Sequence, residues 1–357
     1  MRRFLCPNCN NQIHFENTQC VSCGSGLAYM PLQDQLVVLN VESAGSGGTP
    51  RPCANRDLIG CNWLCARDAQ SKFCLSCLHT TKIPDTSDDE RRQRWGRLER
   101  AKRRLFYALI KFGLPLAVER DKSEGALHFE LLGDESHPNG NEKRVMTGHY
   151  NGRITINIDE ADDAIREKKR TTLGEPYRTL IGHFRHEVAH YYWDRLIAGK
   201  DVISACRACF GDERQNYAEA LKAYYINGPV SDWQQSYVSG YASAHPWEDF
   251  AETWAHYFHI VGGLETARAY GLNPQPSHPA APVLAQLEDP YHVSDHLQLI
   301  QHWIPLTVAM NAMNRSMGIS DYYPFVLSPR ISEKLKFVHD LIEAQQQSIK
   351  GPPFNAE

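Results

Sequence analysis

The sequence has 357 residues, of which 42% are hydrophobic and 22% are charged, and such a chain is typical of a globular protein with two or three domains. Its formal net charge of −4 at pH 7 gives no overall attraction to nucleic acids or anionic membranes. The longest apolar stretches, such as residues 114–118, are too short to cross a bilayer, and no apolar segment follows the two N-terminal arginines. The sequence therefore predicts neither a membrane span nor a secretory signal.

Cysteines are concentrated near the N-terminus, where nine of the eleven fall within the first 77 residues. Six of these nine form CxxC pairs, at 6/9, 20/23 and 74/77. Without an export signal the thiols are expected to stay reduced, and CxxC pairs in a reducing compartment usually bind metal. The sequence therefore predicts a cytoplasmic protein with cysteine-bound metal rather than disulfides.

Residues 1–30 are predicted to form a zinc ribbon. They contain CPNC and, after ten further residues, CVSC, and each pair places two thiolates on a tight turn. Two redox-active pairs are the less favoured alternative. The four predicted ligands of this structural zinc are Cys6, Cys9, Cys20 and Cys23. A strand at 35–41 and a flexible linker rich in Gly and Ser are expected within residues 31–50.

A second four-cysteine zinc module is predicted over residues 51–85, where five cysteines compete for four ligand positions. Cys74 and Cys77 form a CxxC pair and are the firmest ligands. The other two predicted ligands are Cys53 and Cys61. Cys65 lies in an apolar run and is expected to be a buried free thiol, although its exchange with Cys53 or Cys61 is an open alternative.

Residues 86–112 are predicted to form a helix with one apolar stripe at helical spacing. Eight of the fourteen residues from 91 to 104 are Arg or Lys. A basic helix after a zinc ribbon could bind nucleic acid. The favoured interpretation is that the helix braces the zinc modules against the next domain, because the whole chain is acidic and no base-reading module is recognisable.

Residues 113–350 are predicted to form an α+β domain, with a small antiparallel sheet first and helices afterwards. Strands are expected at 114–121 and 126–133, and the Asn151-Gly152 pair beyond them is typical of a two-residue hairpin turn. Helices are expected at 176–197, 213–226, 246–262, 295–315 and 330–347.

A His-Glu-x-x-His pattern lies at His186, Glu187 and His190 in the first of these long helices. Positions i and i+4 lie on one helix face, so both imidazoles can bind one zinc with the glutamate beside them. The surrounding residues are mainly apolar or aromatic, and burying this polar group without a partner would be costly. A core helix with satisfied histidines is the alternative to a metal site.

The predicted helix that begins at Pro246 carries a second polar stripe, at Glu248, Glu252, His256 and His259. Its other positions are rich in aromatic residues, so the helix is not expected to be wholly exposed. Capping by the first glutamate or a solvent-facing stripe would explain it without a metal. Because a catalytic zinc needs a third protein ligand, and the two helices have complementary polar faces, we expect that ligand in this region.

Several longer motifs accompany these two helices. They are GEPYRTLIGHFRHEVAHYYWDRL at 174–196, HPWEDFAETWAHY at 245–257, CNW at 61–63 and IPD at 83–85. In these motifs the sequence resembles the bacterial zinc-binding metallopeptidases with an N-terminal zinc ribbon, over roughly residues 1–275. The resemblance implies a zincin-like catalytic domain after the two zinc modules. That family usually has WLV where this chain has WLC and lacks cysteine around 206–213, which implies that Cys65, Cys206 and Cys209 are not ligands.

EDFAE at 248–252 is also similar, more distantly, to the EFFAE motif of the anthrax-lethal-factor-like metallopeptidases, which are gluzincin-type zincins. This similarity implies that Glu248 is the third zinc ligand and that Glu252 supports a ligand histidine. It also implies that Tyr241, seven residues before Glu248, assists the transition state.

The resemblance implies a zinc-dependent metallopeptidase in which Glu187 is the general base for hydrolysis of a peptide or amide bond by zinc-activated water. A peptide or protein substrate would then bind in extended form along an edge strand at 152–158. His183, Asp194 and His256 are further candidates to support the ligands without contacting the metal. The alternative function is a zinc-ribbon protein that contacts nucleic acid or a protein partner, with a zincin scaffold of little or no turnover.

Overall fold

The protein is described by a computed structural model. The described residues are 1–39, 51–66, 70–117, 125–136, 142–173, 175, 177–276, 278 and 281–349. The predicted flexible linker, the end of the strand expected at 35–41 and the second half of the strand expected at 114–121 lie outside the described residues. The part of that second strand inside them, 114–117, has no strand conformation.

The N-terminal region is built from short elements around two cysteine clusters. Strands β1 (Phe4–Leu5) and β2 (Gln12–Ile13) form an antiparallel pair, as do β3 (Leu27–Met30) and β4 (Gln35–Val38). The one-turn helices α1 (Arg56–Ile59) and α2 (Leu75–Leu78) follow. Buried aromatic rings join the two parts, because Tyr29 packs against Trp63 with ring centroids 5.4 Å apart.

The sheet of the larger domain has four strands in the order β5 (Thr80–Lys82), β6 (His128–Leu132), β10 (Arg153–Asn157) and β9 (Gly148–Tyr150). The predicted hairpin is present, with Asn151 and Gly152 both at positive φ between β9 and β10. The sequence predicted an antiparallel sheet, and this prediction was wrong in part. Strand β6 runs parallel to both β5 and β10. Helix α3 (Asp89–Lys111) makes the crossover from β5 to β6, and such a connection produces parallel strands.

Helices make up most of the remaining chain, which confirms the predicted α+β class. A separate small pair, β7 (Glu135–Ser136) and β8 (Glu142–Lys143), precedes β9. The helices are α4 (Asp163–Leu173), α5 (Leu180–Leu196), α6 (Ile203–Phe210), α7 (Tyr217–Asn227), α8 (Pro246–Ala269), α9 (His296–Ser316) and α10 (Pro329–Ile349). The expected helix 213–226 begins at Tyr217 because the side chain of Asn216 caps it. No helix in the described ranges is both long and apolar enough to cross a membrane.

Helices α5 and α8 pack against each other in the centre of the domain. Tyr192 of α5 stacks on Trp254 of α8 with ring centroids 5.3 Å apart, and Trp254 stacks on Phe258 at 5.2 Å. These rings are buried, and large buried aromatics contribute strongly to core stability. The core therefore fixes the relative positions of the two helices that carry the predicted zinc ligands.

Helix α3 contacts α1 and α2 of the cysteine modules on one side and α5 on the other. Most of its basic side chains have partners within the protein. Arg94 binds Asp159 and Asp162, Arg97 donates to the carbonyl of Ala161, and Arg104 binds Glu16. Lys102 and Arg103 are buried, so few of the eight basic residues remain for an external partner.

Candidate metal centre

The candidate centre lies where α5 and α8 meet. Thr179 caps α5, since its hydroxyl accepts a hydrogen bond from the Gly182 amide, and His245 caps α8 just before Pro246. These caps start the helices so that one face of α5 turns His186 and His190 toward the first turn of α8. Glu248 lies in that first turn and is buried.

Three ligand-type atoms converge between the helices. Nε2 of His186 lies 3.3 Å from Nε2 of His190 and 3.0 Å from Oε2 of Glu248. The His190 nitrogen lies 3.7 Å from the same oxygen. Ligands bound tetrahedrally to zinc at about 2.0–2.1 Å are separated by about 3.3 Å. The three atoms therefore already have the spacing that a zinc ion requires.

The electrostatics of this group also favour a cation. Burial would raise the pKa of Glu248, but the neighbouring His190 and His186 outweigh it and lower the pKa to about 2. The pKa of His186 is raised well above its usual value in spite of burial, because Glu248 and Glu252 both bind it. Oε2 of Glu248 is buried and accepts no hydrogen bond from any described residue. A divalent cation would bind this oxygen and would offset the negative charges of Glu248 and Glu252.

Glu252 contacts the far side of the His186 ring. Its Oε1 lies 2.7 Å from Nδ1 of His186, and its Oε2 accepts a hydrogen bond of 2.6 Å from the Ser239 hydroxyl. A carboxylate at Nδ1 fixes the tautomer that leaves Nε2 free to bind metal. Glu252 therefore lies where it can orient His186, and it does not contact the other two candidate ligands, His190 and Glu248.

Glu187 lies on α5 between the two histidines in sequence and is largely buried. Burial raises the pKa of its carboxyl group to about 7, the nearby Glu248 and Glu252 act in the same direction, and His186 opposes them. Within the described part of the chain no hydrogen bond engages its carboxylate. It is therefore free to exchange a proton with a molecule bound at the centre.

Tyr241 begins a short 3₁₀ helix, Tyr241–Ala244, immediately before α8. Its ring centroid lies 6.0 Å from that of His186. Burial raises the pKa of its hydroxyl well above the usual value, so the group keeps its proton and can donate a hydrogen bond. Its hydroxyl also interacts with Tyr217 and Tyr225.

The remaining predicted supporting residues lie farther from the three ligand atoms. His183 lies 3.5 Å from Oε2 of Glu160, and Asp194 lies 4.0 Å from Nε2 of His149. His256 is one turn beyond Glu252, and its Nδ1 lies 2.6 Å from the Tyr323 hydroxyl. In the described structure none of these three has a polar contact with a ligand atom.

Two contacts to the candidate ligands were not expected from the sequence. The Tyr217 hydroxyl donates a hydrogen bond of 2.6 Å to Oε1 of Glu248, and the Trp247 ring packs against His190 with centroids 4.0 Å apart. Trp247 directly precedes Glu248 in α8, so its place beside that ligand could be read from the sequence, but its contact with His190 could not. Tyr217 is 31 residues from Glu248, and no spacing rule could have paired them.

The strand expected to bind substrate is not an edge strand. Residues 153–157 pair with β6 on one side, and residues 153–155 pair with β9 on the other. The expectation failed because the Asn151-Gly152 turn folds β9 back over this edge. The outer edge is β9, which packs beside α5. His149 of β9 has its ring centroid 6.2 Å from that of His190.

The cysteines form the two predicted groups. In the first, the sulfurs of Cys6 and Cys23 are 3.7 Å apart, as are those of Cys9 and Cys20. In the second, Cys61 lies 3.7 Å from Cys74 and 3.8 Å from Cys77, and Cys53 completes the cluster. Tetrahedral zinc with bonds of about 2.3 Å separates its sulfur ligands by about 3.8 Å. Both groups therefore fit zinc.

The other three cysteines lie outside these clusters. Cys65 is buried, and burial raises the pKa of its thiol to about 11. Burial likewise raises the pKa of Cys206 to about 12 and that of Cys209 to about 11. None of these three cysteines belongs to a group of potential metal ligands among the described residues.

Comparison with known proteins agrees with this organisation. Residues 91–341 match the family described as "Putative zinc-binding metallo-peptidase", and residues 3–88 match a zinc-ribbon domain. Uncharacterized proteins of Mycobacterium tuberculosis and Mycobacterium bovis are 40% identical over 344 residues, which cover 96% of this chain and 96% of each relative. No solved structure matches the chain. The chain belongs to this zinc-binding metallo-peptidase family and carries an N-terminal zinc-ribbon domain.

Proposed function

We propose that the protein is a zinc-dependent metallopeptidase of the gluzincin type, which hydrolyses a peptide or amide bond. The observation that carries the proposal is the convergence of His186, His190 and Glu248, whose ligand atoms lie 3.0–3.7 Å apart. Two imidazoles and one carboxylate are a ligand set of catalytic zinc sites, which leave a coordination position for water or substrate.

The metal would be held by these three side chains. When bound, zinc would act as a Lewis acid that lowers the pKa of water and polarises the carbonyl of the scissile bond. Glu252 orients His186 through Nδ1, and Tyr217 holds Glu248 through Oε1. These two contacts fix the ligand atoms before metal arrives, which reduces the reorganisation that metal binding requires.

The proton transfers fall to Glu187. Its carboxylate is largely buried, has no hydrogen-bond partner within the described residues and lies beside the ligands. It accepts a proton as water attacks the carbonyl carbon, and it then delivers that proton to the leaving amine. The Tyr241 hydroxyl, which stays protonated, donates a hydrogen bond to the developing oxyanion.

The substrate is a peptide or protein segment in extended conformation. Strand β9 supports this part of the proposal, because it is the outer strand next to α5 and His149 lies beside His190. An added Cβ at Gly148 would meet no atom within 4 Å, so the face of the sheet is open beside this strand. Backbone hydrogen bonds to such an edge can bind many sequences, with side-chain pockets providing selectivity.

The two cysteine clusters are proposed as structural zinc sites, which gives one catalytic and two structural zinc ions per chain. Thiolate ligands persist in a reducing compartment, so the proposal includes a cytoplasmic location. A nucleic-acid-binding role has less support, because the basic side chains of α3 mostly bind partners within the protein.

The experiment is turnover of a peptide library by the zinc-loaded protein and by Glu187→Gln. The variant should lose about 10²–10⁴-fold in turnover, because a general base is removed, while its zinc content stays unchanged. Glu219→Gln, on an exposed position of α7, is the matched control and should keep full activity. Equal turnover by Glu187→Gln would contradict the mechanism. Absence of any cleavage by the zinc-loaded wild type would favour the binding-protein alternative.

A further inference from the structure

A buried arginine of α5 lies next to the metal centre and faces a later turn of α8. Arg185 immediately precedes His186, and one residue is a rotation of about 100° around a helix. Its side chain therefore points away from the ligands and toward the middle of α8. There its Nη1 lies 2.5 Å from Nδ1 of His259, and the Arg185 residue is only 9% exposed.

The charge of Arg185 has no counterion within the described structure. Its hydrogen-bonding partner, His259, is an imidazole whose pKa is lowered well below the usual value by burial and by Arg185, so it remains neutral. Nε of Arg185 is buried and has no hydrogen-bond partner in the described part of the chain. A buried charge without a partner is costly, and proteins normally pair it.

The acidic residue that lines the same region does not supply this pairing. Glu265 lies in the same region, but one of its oxygens accepts a hydrogen bond from the Tyr107 hydroxyl. The other oxygen lies 2.9 Å from the amino group of Met1. Arg104, a second cation nearby, binds Glu16. Arg185 is therefore left without a carboxylate.

A cavity of about 240 Å³ adjoins the Arg185 guanidinium, which is room for roughly eight water molecules or one small organic molecule. Tyr177, Tyr291 and Tyr322 line it. Among the described residues none of these three hydroxyl groups has a hydrogen-bond partner, so each is available as a donor. The cavity thus combines an unpaired cation with several neutral donors.

Two consecutive glycines of α8 shape the cavity wall. A Cβ at Gly262 would lie 3.3 Å from Nη2 of Arg185, and a Cβ at Gly263 would lie 2.4 Å from the Trp303 ring. Glycine inside a helix is destabilising relative to alanine. The pair instead allows the guanidinium and the indole to approach the backbone of α8 closely.

We propose that this cavity binds a small oxyanion, a carboxylate or a phosphate, with Arg185 as its charged partner and the tyrosine hydroxyls as further donors. Guanidinium binds both oxyanions through two parallel hydrogen bonds. The bound anion would neutralise Arg185 and connect α5 to α8, the two helices that carry the metal ligands. This binding site does not depend on the proposed peptidase activity.

The first test measures thermal unfolding of the full zinc-loaded protein in increasing acetate, succinate or inorganic phosphate, at constant ionic strength set with chloride. At least one of these anions should raise the Tm in a saturable way. Arg185→Gln should weaken that binding by about tenfold or more, because a charged hydrogen-bonding partner is lost. Arg100→Gln removes the same charge from an exposed position of α3 and should leave the binding unchanged.

Because Arg185→Gln could fail to fold, Tyr322→Phe provides a milder variant that should weaken binding by about two- to tenfold. Crystals soaked in 4-bromobenzoate or in selenate then distinguish a carboxylate from a phosphate-like ligand, with an anomalous peak expected beside Arg185 for at least one. Equal Tm values in all anions and chloride, an unchanged shift in folded Arg185→Gln, or a cavity that contains only water would overturn the proposal.

Discussion

The carboxylate of Glu252 lies 2.7 Å from Nδ1 of His186, while Nε2 of the same ring lies 3.0 Å from Glu248. The imidazole is thus held between two carboxylates, one on each side. In a metal site, the first contact sets the orientation of the ring and increases the basicity of the nitrogen that binds metal.

Glu252→Gln should weaken zinc binding at this centre by about 10–100-fold, because it removes the charge at Nδ1 and keeps the side-chain size. The measurement is a competition titration with a zinc chelator. Glu333→Gln on α10, whose carboxylate is exposed, is the control and should bind zinc normally. A Glu252→Gln affinity within about twofold of wild type would show that this contact does not support the ligand.

Tyr241→Phe should lower kcat by about 10²–10³-fold, the usual effect of losing one donor to an oxyanion, and should leave zinc content unchanged. Tyr217→Phe has a different expected effect, since it removes the hydrogen bond to Glu248 and should mainly weaken zinc binding. Steady-state kinetics and metal analysis separate the two roles. Tyr270→Phe, at an exposed tyrosine beyond α8, serves as control, and an unchanged kcat in Tyr241→Phe would remove Tyr241 from the mechanism.

Cys61→Ser should reduce the zinc content from three ions to two, whereas Cys65→Ser should retain three. The reason is that Cys61 lies within the second cluster and Cys65 lies outside it. Elemental analysis of the purified variants gives the stoichiometry. The opposite result, with zinc lost only from Cys65→Ser, would mean that Cys65 is the ligand.

Glu160 should make the stability of the protein depend on pH in the acid range. Burial would raise its pKa, but His183, Lys169 and Arg178 outweigh burial and lower the pKa. Its stabilising effect is therefore complete above the unfolded value of about 4.3 and is lost as the pH falls through the lower folded value.

The matching variant is Glu160→Gln, which should be less stable at pH 7 by about 1–3 kcal/mol because its cationic partners lose a buried acceptor. Urea unfolding at several pH values should show that the difference from wild type shrinks as the pH falls below about 4. A difference that stays constant across this range would indicate that the ionised carboxylate is not what stabilises the fold.

The sequence was most informative where function requires a fixed local spacing. A single turn of chain is enough to bring certain ligand pairs together. This holds for the two histidines four residues apart and for the CxxC pairs of the cysteine modules. The start of α8 was also predictable, since His245 and Pro246 form a recognisable helix start. The structure brings these locally defined groups together as the sequence grouped them.

Contacts between distant residues could not be predicted in this way. Strand β5 has only three residues, so its parallel pairing with β6 left no periodic signal, and the antiparallel sheet was expected instead. The same applies to Tyr217, which reaches Glu248 through the packing of α7. Arg185 received no role in the sequence analysis for another reason. It lies directly before the His-Glu-x-x-His motif, and only the motif residues were interpreted.

The most direct test of the central claim is anomalous scattering at the zinc edge from crystals of the protein purified without chelators. Three zinc peaks are predicted, one in each cysteine cluster and one bound by His186, His190 and Glu248. Only two peaks, both bound by cysteine, in a protein supplied with excess zinc would contradict a catalytic zinc centre.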